Sequence, residues 1–103
     1  MADARAIASM FAQPTPTAHP YPIGVPVLIR TVTNYYTGRI VEVHPQELVI
    51  TDAAWIADTG RFGAALLSGE YSEVEPYPDG RVIIGRGSIL DVSAVTKTPR
   101  TTK

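Results

Sequence analysis

The chain contains no cysteine and only one tryptophan, and it has no lysine between residues 25 and 95. Without cysteine, neither disulfides nor thiolate metal ligands can hold a small fold together. The same segment has five arginines and nine carboxylates, which is a formal charge of −4. Duplex binding depends on many Lys and Arg side chains that neutralise phosphates. The acidic balance argues against general nucleic-acid binding without excluding it, and it leaves room for a small ligand held by one or two arginines.

Long hydrophobic runs are also missing, because no apolar stretch approaches the roughly 18 residues that a membrane span requires. The first residues, MADARAIASMFAQ, place an acid near a base and contain an apolar stretch that is too short for a secretory signal. These two features predict a cytoplasmic protein with no membrane partner.

The 103 residues divide into three regions. Residues 1–24 are predicted to form an N-terminal helix and a proline-rich arm, residues 25–96 a β-barrel domain, and residues 97–103 a basic flexible tail. Five of the nine prolines fall within residues 12–26, and proline fixes φ and removes a backbone donor. A domain of this size buries only about 60% of its unfolded surface. We therefore expect a homo-oligomer that covers the remaining apolar surface.

Alternating apolar residues and frequent turn signals predict five or six short strands, the pattern of a small barrel. The predicted strands are 25–32, 39–43, 48–52 with a bent continuation through Trp55 or Ile56, 73–77, 81–84 and 89–95. A turn and the start of the second strand are expected at 34–38. An inserted helix is predicted after Thr59, the expected N-cap, and it ends at Gly69. Residues 2–12 favour a second helix, which either docks on the barrel or a neighbouring subunit or frays.

The run Leu48–Gly69 leads from an apolar strand to the tryptophan, and then to two aspartates and an arginine. We expect Asp52, Asp58 and Arg61 to share one neighbourhood, where Arg61 is a forked donor for a phosphate or carboxylate. The alternative is an internal salt bridge that fixes the corner between strand and helix. Trp55 either stacks on a base or packs in the core or a subunit contact.

Outside that run, the sequence offers few groups for catalysis. At most one of the adjacent Tyr35 and Tyr36 can face a given pocket, because neighbouring strand residues point to opposite faces. Gly85–Ser88 is either a tight turn or, with Arg86, an anion cradle. The serines have no His or Asp arrangement, and neither histidine has a second ligand at metal spacing. We expect no enzymatic activity, no metal and no cofactor.

Two parts of the chain resemble the motifs of Sm-like barrels. Residues 25–53 have the order of apolar strand, Gly38, apolar strand, loop and apolar strand, and Ile83–Val92 (IIGRGSILDV) is similar to the second Sm motif. The resemblance implies a ring-forming barrel in which the loop at Arg86 and Gly87 helps to hold a nucleobase. The Asp-x-x-Met-Asn loop of that family has no counterpart at 44–47.

Residues 27–95 also resemble a family of small phage-encoded proteins of unknown function. The matching blocks are Ile29–Thr31, Ile50–Ala53 and, after the tryptophan, Gly63 with Ala64–Leu67. That family usually has two arginines after Asp-Ala, where this chain has Ala-Trp. The resemblance implies a phage protein of the host cytoplasm and does not imply an activity.

These patterns together predict a non-enzymatic, homo-oligomeric, phage-associated protein that binds a nucleotide-type ligand, such as a host defence signal that it sequesters. The predicted ligand-binding residues are Arg61, Arg86, Gly87, Trp55, Tyr36 and Asp58. Two alternatives remain at this point. One is a structural or virion assembly accessory protein whose proline-rich arm and tail wrap a partner, and the other is an Sm-like RNA-binding ring.

Overall fold

A computed structural model describes residues 19–103, so the helix predicted for 2–12 lies outside the described residues. The described chain forms one antiparallel sheet of six strands. The strands are β1 Pro26–Thr31, β2 Tyr35–Val43, β3 Glu47–Asp58, β4 Glu73–Pro76, β5 Val82–Gly85 and β6 Ile89–Ala94. Helix α1, Phe62–Ser68, lies between β3 and β4, and a 3-10 turn at Arg86–Ser88 joins β5 to β6. The mainly β class with a short inserted helix is thereby confirmed.

β3 is the longest strand, and its two halves have different neighbours. The sheet order is β4-β3-β2-β1-β6, and β5 pairs separately with β3. The first half of β3, Glu47–Ile50, pairs with β5, whereas the second half, Ala54–Asp58, pairs with β4. β2 runs along the other edge of both halves and begins at Tyr35, within the segment 34–38 where the sequence predicts a turn and the start of this strand. The predicted continuation of the third strand through Trp55 is confirmed.

A bulge at Asp52 bends β3 between these halves. Asp52 has a φ of 53°, a left-handed conformation that aspartate tolerates better than most residues. The register between β2 and β3 shifts at this point, and Gly38 lies opposite the extra residue. A Cβ on Gly38 would lie 2.9 Å from the carbonyl oxygen of Thr51, so only glycine allows this close approach. Arg39 forms an ion pair with Asp52, with Nε 3.4 Å from Oδ2.

The sheet carries one hydrophobic cluster on each face, because neighbouring strand residues point to opposite sides. Cluster 1 contains Val27, Ile29, Ile40, Leu48, Ile50, Ala53 and Ile84. Cluster 2 contains Leu28, Ala54, Ile56, Ala65, Tyr71, Val74 and Val95. Ala65 comes from α1, so the inserted helix covers cluster 2 and leaves cluster 1 to the strands.

α1 begins two residues later than predicted, and the expected N-cap at Thr59 is wrong. The cap position is held by Arg61, without a side-chain cap hydrogen bond. The Asp58 carboxylate accepts a hydrogen bond from the Gly60 N–H at 2.8 Å, and this local turn delays the start of the helix. Gly69 ends the helix in the left-handed region with a φ of 72°, as predicted.

The C-terminal segment 97–103, which the sequence predicts to be a basic flexible tail, contacts the sheet through Lys103 and Arg100. Lys103 exchanges two backbone hydrogen bonds with Val74 of β4, at 3.0 and 2.9 Å. Arg100 donates from Nη1 to the Ala53 carbonyl at 2.7 Å and from Nη2 to the Tyr77 carbonyl at 2.8 Å. Arg100 therefore joins the bend in β3 to the turn after β4. Arg100 binds backbone carbonyl oxygens, and the composition of the segment does not reveal hydrogen bonds of this kind.

Candidate functional site

The structure distributes the predicted ligand-binding residues over three places. Trp55 and Tyr36 are direct partners across β3 and β2. Arg86 and Gly87 form the second place, at the 3-10 turn, and Asp58 and Arg61 lie around the loop that leads into α1, at the third place. Asp52, which was expected beside Asp58, is six strand residues away, or roughly 20 Å along an extended chain. Its carboxylate pairs with Arg39 of β2 and not with Arg61.

The first place is an aromatic group on β2 and β3. Trp55 is 41% exposed, and the Tyr36 ring stacks on Tyr77 with 6.2 Å between centroids. Burial, with a smaller contribution from Tyr36, raises the pKa of Tyr77. Glu75 is the direct partner of Trp55 on β4. A carboxylate next to the exposed indole disfavours an anionic ligand on this surface.

The second place is the turn at Arg86, where the guanidinium is already engaged. Its Nη1 donates to the His44 carbonyl at 2.7 Å, and the guanidinium lies over the Tyr21 ring, 5.1 Å from its centroid. The backbone N–H of Arg86 donates to Gln46 at 2.8 Å. Gly87 is exposed beside it. These contacts join the β2–β3 loop to the 3-10 turn, in agreement with the tight-turn interpretation.

The third place is an open cavity of about 450 Å³ beside α1, here called the α1 cleft. Its lining residues are Thr59, Gly60, Arg61, Ala64, Ala65, Ser68, Glu70, Tyr71, Ser72 and Lys103. The Arg61 side chain is exposed and makes no hydrogen bond or ion pair with any residue of 19–103. Four residues with hydroxyl groups, and a guanidinium that has no partner among residues 19–103, thus line a cavity of the size that small ligands occupy. Asp58 does not line this cleft.

Two charged residues of the α1 cleft, Glu70 and Lys103, were not predicted as site residues. Lys97 donates a hydrogen bond to Oε1 of Glu70, and Nζ of Lys103 lies 3.7 Å from its Oε2. The hydrogen bond from Lys97 is the main reason why the pKa of the Glu70 carboxyl is lowered. The basic composition of the tail was visible in the sequence, but its docking beside Glu70 was not.

Tyr71 connects the α1 cleft to cluster 2, because it lines the first and packs in the second. Its side chain is only 2% exposed, and burial raises the pKa of its hydroxyl. That hydroxyl and the buried Thr37 hydroxyl have no hydrogen-bond partner in the part of the chain that the structure describes. Each group carries the desolvation cost of an unmade hydrogen bond.

Arg30 and Asp91 form a further polar pair that the sequence did not reveal. Arg30 Nε donates to both carboxylate oxygens of Asp91, at 2.8 and 2.9 Å, and Nη2 also contacts the carboxylate. The guanidinium lies 5.3 Å from the centre of the Phe62 ring and 5.9 Å from that of Tyr35. The pair raises the pKa of Arg30 and lowers that of Asp91. Both side chains are satisfied by each other, so the pair joins β1 to β6 and to the start of α1.

Two further observations bear on the kind of site. Within residues 19–103, no group of three His, Cys, Asp or Glu side chains is placed to hold a metal ion. None of the described helices has both the length and the apolar character to cross a membrane. No known protein family, curated protein or solved structure matches this chain. The α1 cleft is therefore interpreted from its own geometry, and the phage resemblance stays a prediction.

Proposed function

We propose that the protein is a non-enzymatic binding protein for a small phosphorylated ligand of the nucleotide type, and that the α1 cleft is its binding site. The observation that carries this proposal is the Arg61 guanidinium, which lines the cleft and has no partner among the described residues. Arginine presents five N–H donors in a planar fork that matches phosphate oxygens. Among the described residues, the Arg86 guanidinium already donates to the His44 carbonyl, whereas no residue of 19–103 occupies the fork of Arg61.

The neutral groups of the α1 cleft suit the rest of such a ligand. The Thr59 hydroxyl donates to the Gly60 carbonyl and can still accept from a ligand. The Ser68 hydroxyl accepts from the Glu70 N–H and can still donate, and the Ser72 hydroxyl can do both, as binding of sugar hydroxyls and phosphate oxygens requires. Ala64 adds an apolar wall. Neither histidine of the chain lines the cleft, and its one carboxylate, Glu70, has a pKa lowered by its hydrogen bond from Lys97, which makes it a weak general base for the serines. These features support binding over turnover.

The strand order supports a barrel, which is part of the same proposal. The order β6-β1-β2-β3-β5, with a 3-10 turn between β5 and β6, is consistent with a small Sm-like or SH3-like barrel into which α1 and β4 are inserted.

Exposed apolar side chains support a homo-oligomer, which is also part of the proposal. Val32, Ile83 and Leu90 are 67%, 60% and 61% exposed, and Leu67 of α1 is 79% exposed. A second copy that covers such side chains would stabilise a small domain.

The test is thermal unfolding of the full chain with AMP, ADP, cyclic AMP and inorganic phosphate. A ligand that binds only the native state stabilises it by about 2.7 kcal/mol at a hundred times its Kd, so the melting temperature should rise with concentration. Arg61→Ala should remove that rise. Arg81→Ala is the matched control, because Arg81 is also exposed and lies outside the α1 cleft. If no nucleotide raises the melting temperature of the wild-type protein, the proposal is wrong.

A further inference from the structure

Lys103 is the second cation that lines the α1 cleft, and the fold of the C-terminal segment brings it there. Its backbone N–H donates to the Val74 carbonyl at 3.0 Å and its carbonyl accepts from the Val74 N–H at 2.9 Å. This antiparallel bridge on β4 fixes the backbone from which the side chain extends to the cleft. The side chain is 55% exposed, so a ligand in the cleft can reach its ammonium group.

Arg100 is a second point at which the same C-terminal segment is attached to the sheet. Its two terminal nitrogens donate to two different carbonyls, those of Ala53 and Tyr77. Ala53 lies in β3 just after the bend, and Tyr77 directly follows β4, so Arg100 fixes the segment to both strands. A lysine has a single ammonium group and cannot reproduce this planar fork. Arg100 is therefore a candidate positioning residue for Lys103.

The charges around Glu70 leave Lys103 available. Lys97 makes a direct hydrogen bond with one carboxylate oxygen, whereas Lys103 lies 3.7 Å from the other, beyond hydrogen-bond distance. Lys97 does not line the cleft. Glu70 also lines the cleft, but its closer partner is Lys97, which lies outside it. The two cations of the cleft, Arg61 and Lys103, therefore outnumber its one carboxylate and still have N–H donors for a ligand.

We propose that the ligand of the α1 cleft carries a doubly charged terminal phosphate, which Arg61 and Lys103 bind together, and that Arg100 positions Lys103 for this contact. The inference rests on the function proposed above, since it concerns the same cleft. A phosphomonoester carries nearly two negative charges at neutral pH, whereas a cyclic phosphodiester carries one. The class of ligand is therefore a phosphomonoester such as a nucleoside 5′-monophosphate, and a cyclic mononucleotide binds more weakly.

Calorimetric titration of the full chain with AMP and with 3′,5′-cyclic AMP tests the proposal. The wild-type protein should bind AMP about tenfold more tightly than 3′,5′-cyclic AMP. This difference is equivalent to one charge-assisted hydrogen bond. Lys103→Ala should weaken AMP binding about tenfold and leave cyclic AMP little changed. Arg81→Ala is the control, because it removes one positive charge at an exposed position that lies outside the cleft and has no contact with Glu70.

Arg100→Lys separates positioning from general stabilisation. If Arg100 positions Lys103, this variant loses AMP affinity selectively, and the AMP to cyclic AMP ratio falls toward that of Lys103→Ala. If Arg100 has only a structural role, the variant should bind both ligands more weakly by the same factor, and that result would overturn the assignment of Arg100. An unchanged ratio in Lys103→Ala overturns the proposed ligand class while binding itself survives. Failure of the wild-type protein to bind either nucleotide overturns the proposed function and this inference together.

Discussion

Replacing Gly38 by alanine directly tests the bend in β3. The added Cβ would lie 2.9 Å from the Thr51 carbonyl oxygen and 3.1 Å from Cδ1 of Ile50. The Ile50 side chain can rotate, but the Thr51 carbonyl belongs to the backbone and moves only if the strand moves. Either β2 and β3 separate at this point, or the bend at Asp52 opens.

The expected cost follows from two opposing effects. One extra methyl group in a filled core costs about 1–3 kcal/mol. Alanine also restricts the unfolded chain, which returns about 0.4–1 kcal/mol. The steric term is larger, so Gly38→Ala should lower the free energy of unfolding by about 0.5–2 kcal/mol. For a domain of this size each 1 kcal/mol corresponds to roughly 4–8 °C in melting temperature.

The same substitution in α1 provides the control. A Cβ on Gly63 would meet no atom within 4 Å, and alanine in a helix is more favourable than glycine by about 0.5–1 kcal/mol. Urea unfolding followed by the fluorescence of Trp55, the only tryptophan, measures both variants. Gly63→Ala should be more stable than the wild-type protein and Gly38→Ala less stable. If Gly38→Ala is stabilised as well, the two strands do not approach as closely as described, and the reasoning fails.

Three further predictions concern the sheet itself. Leu28→Ala, at a fully buried position of cluster 2, should lower the free energy of unfolding by about 2–5 kcal/mol. Chemical denaturation measures the loss, and a change below about 0.5 kcal/mol, the size typical of an exposed position, would contradict the burial of Leu28. Thr37→Val replaces a buried hydroxyl that lacks a partner within the described chain, so the same assay should show equal or higher stability, by up to about 1–3 kcal/mol; a clear loss would contradict this. Asp91→Asn removes the ion pair with Arg30, which lowers the pKa of Asp91. The ion pair contributes its full stability above the unfolded pKa of Asp91, about 4, and this stability is lost as the pH falls through the lower folded pKa. Below about pH 4, the melting temperature should therefore decrease more steeply with falling pH for the wild-type protein than for the variant.

Much of the strand pattern was readable because alternation of apolar residues reports which face is buried. The role of Gly38 was less readable, since it and Asn34 are typical turn residues. In the structure, Gly38 instead lies inside the strand, where it permits the close approach of the bulge at Asp52. A glycine inside a strand often marks such a site, but the sequence does not say which strand approaches it.

The candidate site was harder to predict because its parts come from distant segments. Asp52 and Asp58 are near in sequence, but β3 continues through both and an extended chain separates them. Lys103 and Glu70 are distant in sequence, and only the docking of the C-terminal segment on β4 brings them together. Arg30 and Asp91 meet because of the register between β1 and β6. Local patterns specify strands, whereas pairing and register decide which side chains meet.

The two halves of β3 contribute to different parts of the hydrophobic core. Cluster 1 packs the first half of β3 with β1, β2 and β5, whereas cluster 2 adds α1, β4 and the residue after β6 to the second half. Segregated contacts of this kind allow local opening of one unit while the other stays folded. The α1 cleft belongs wholly to the second unit, so its residues can change in evolution with little effect on cluster 1. The bend at Asp52 is thus a boundary along which a different binding region can be exchanged on the same scaffold.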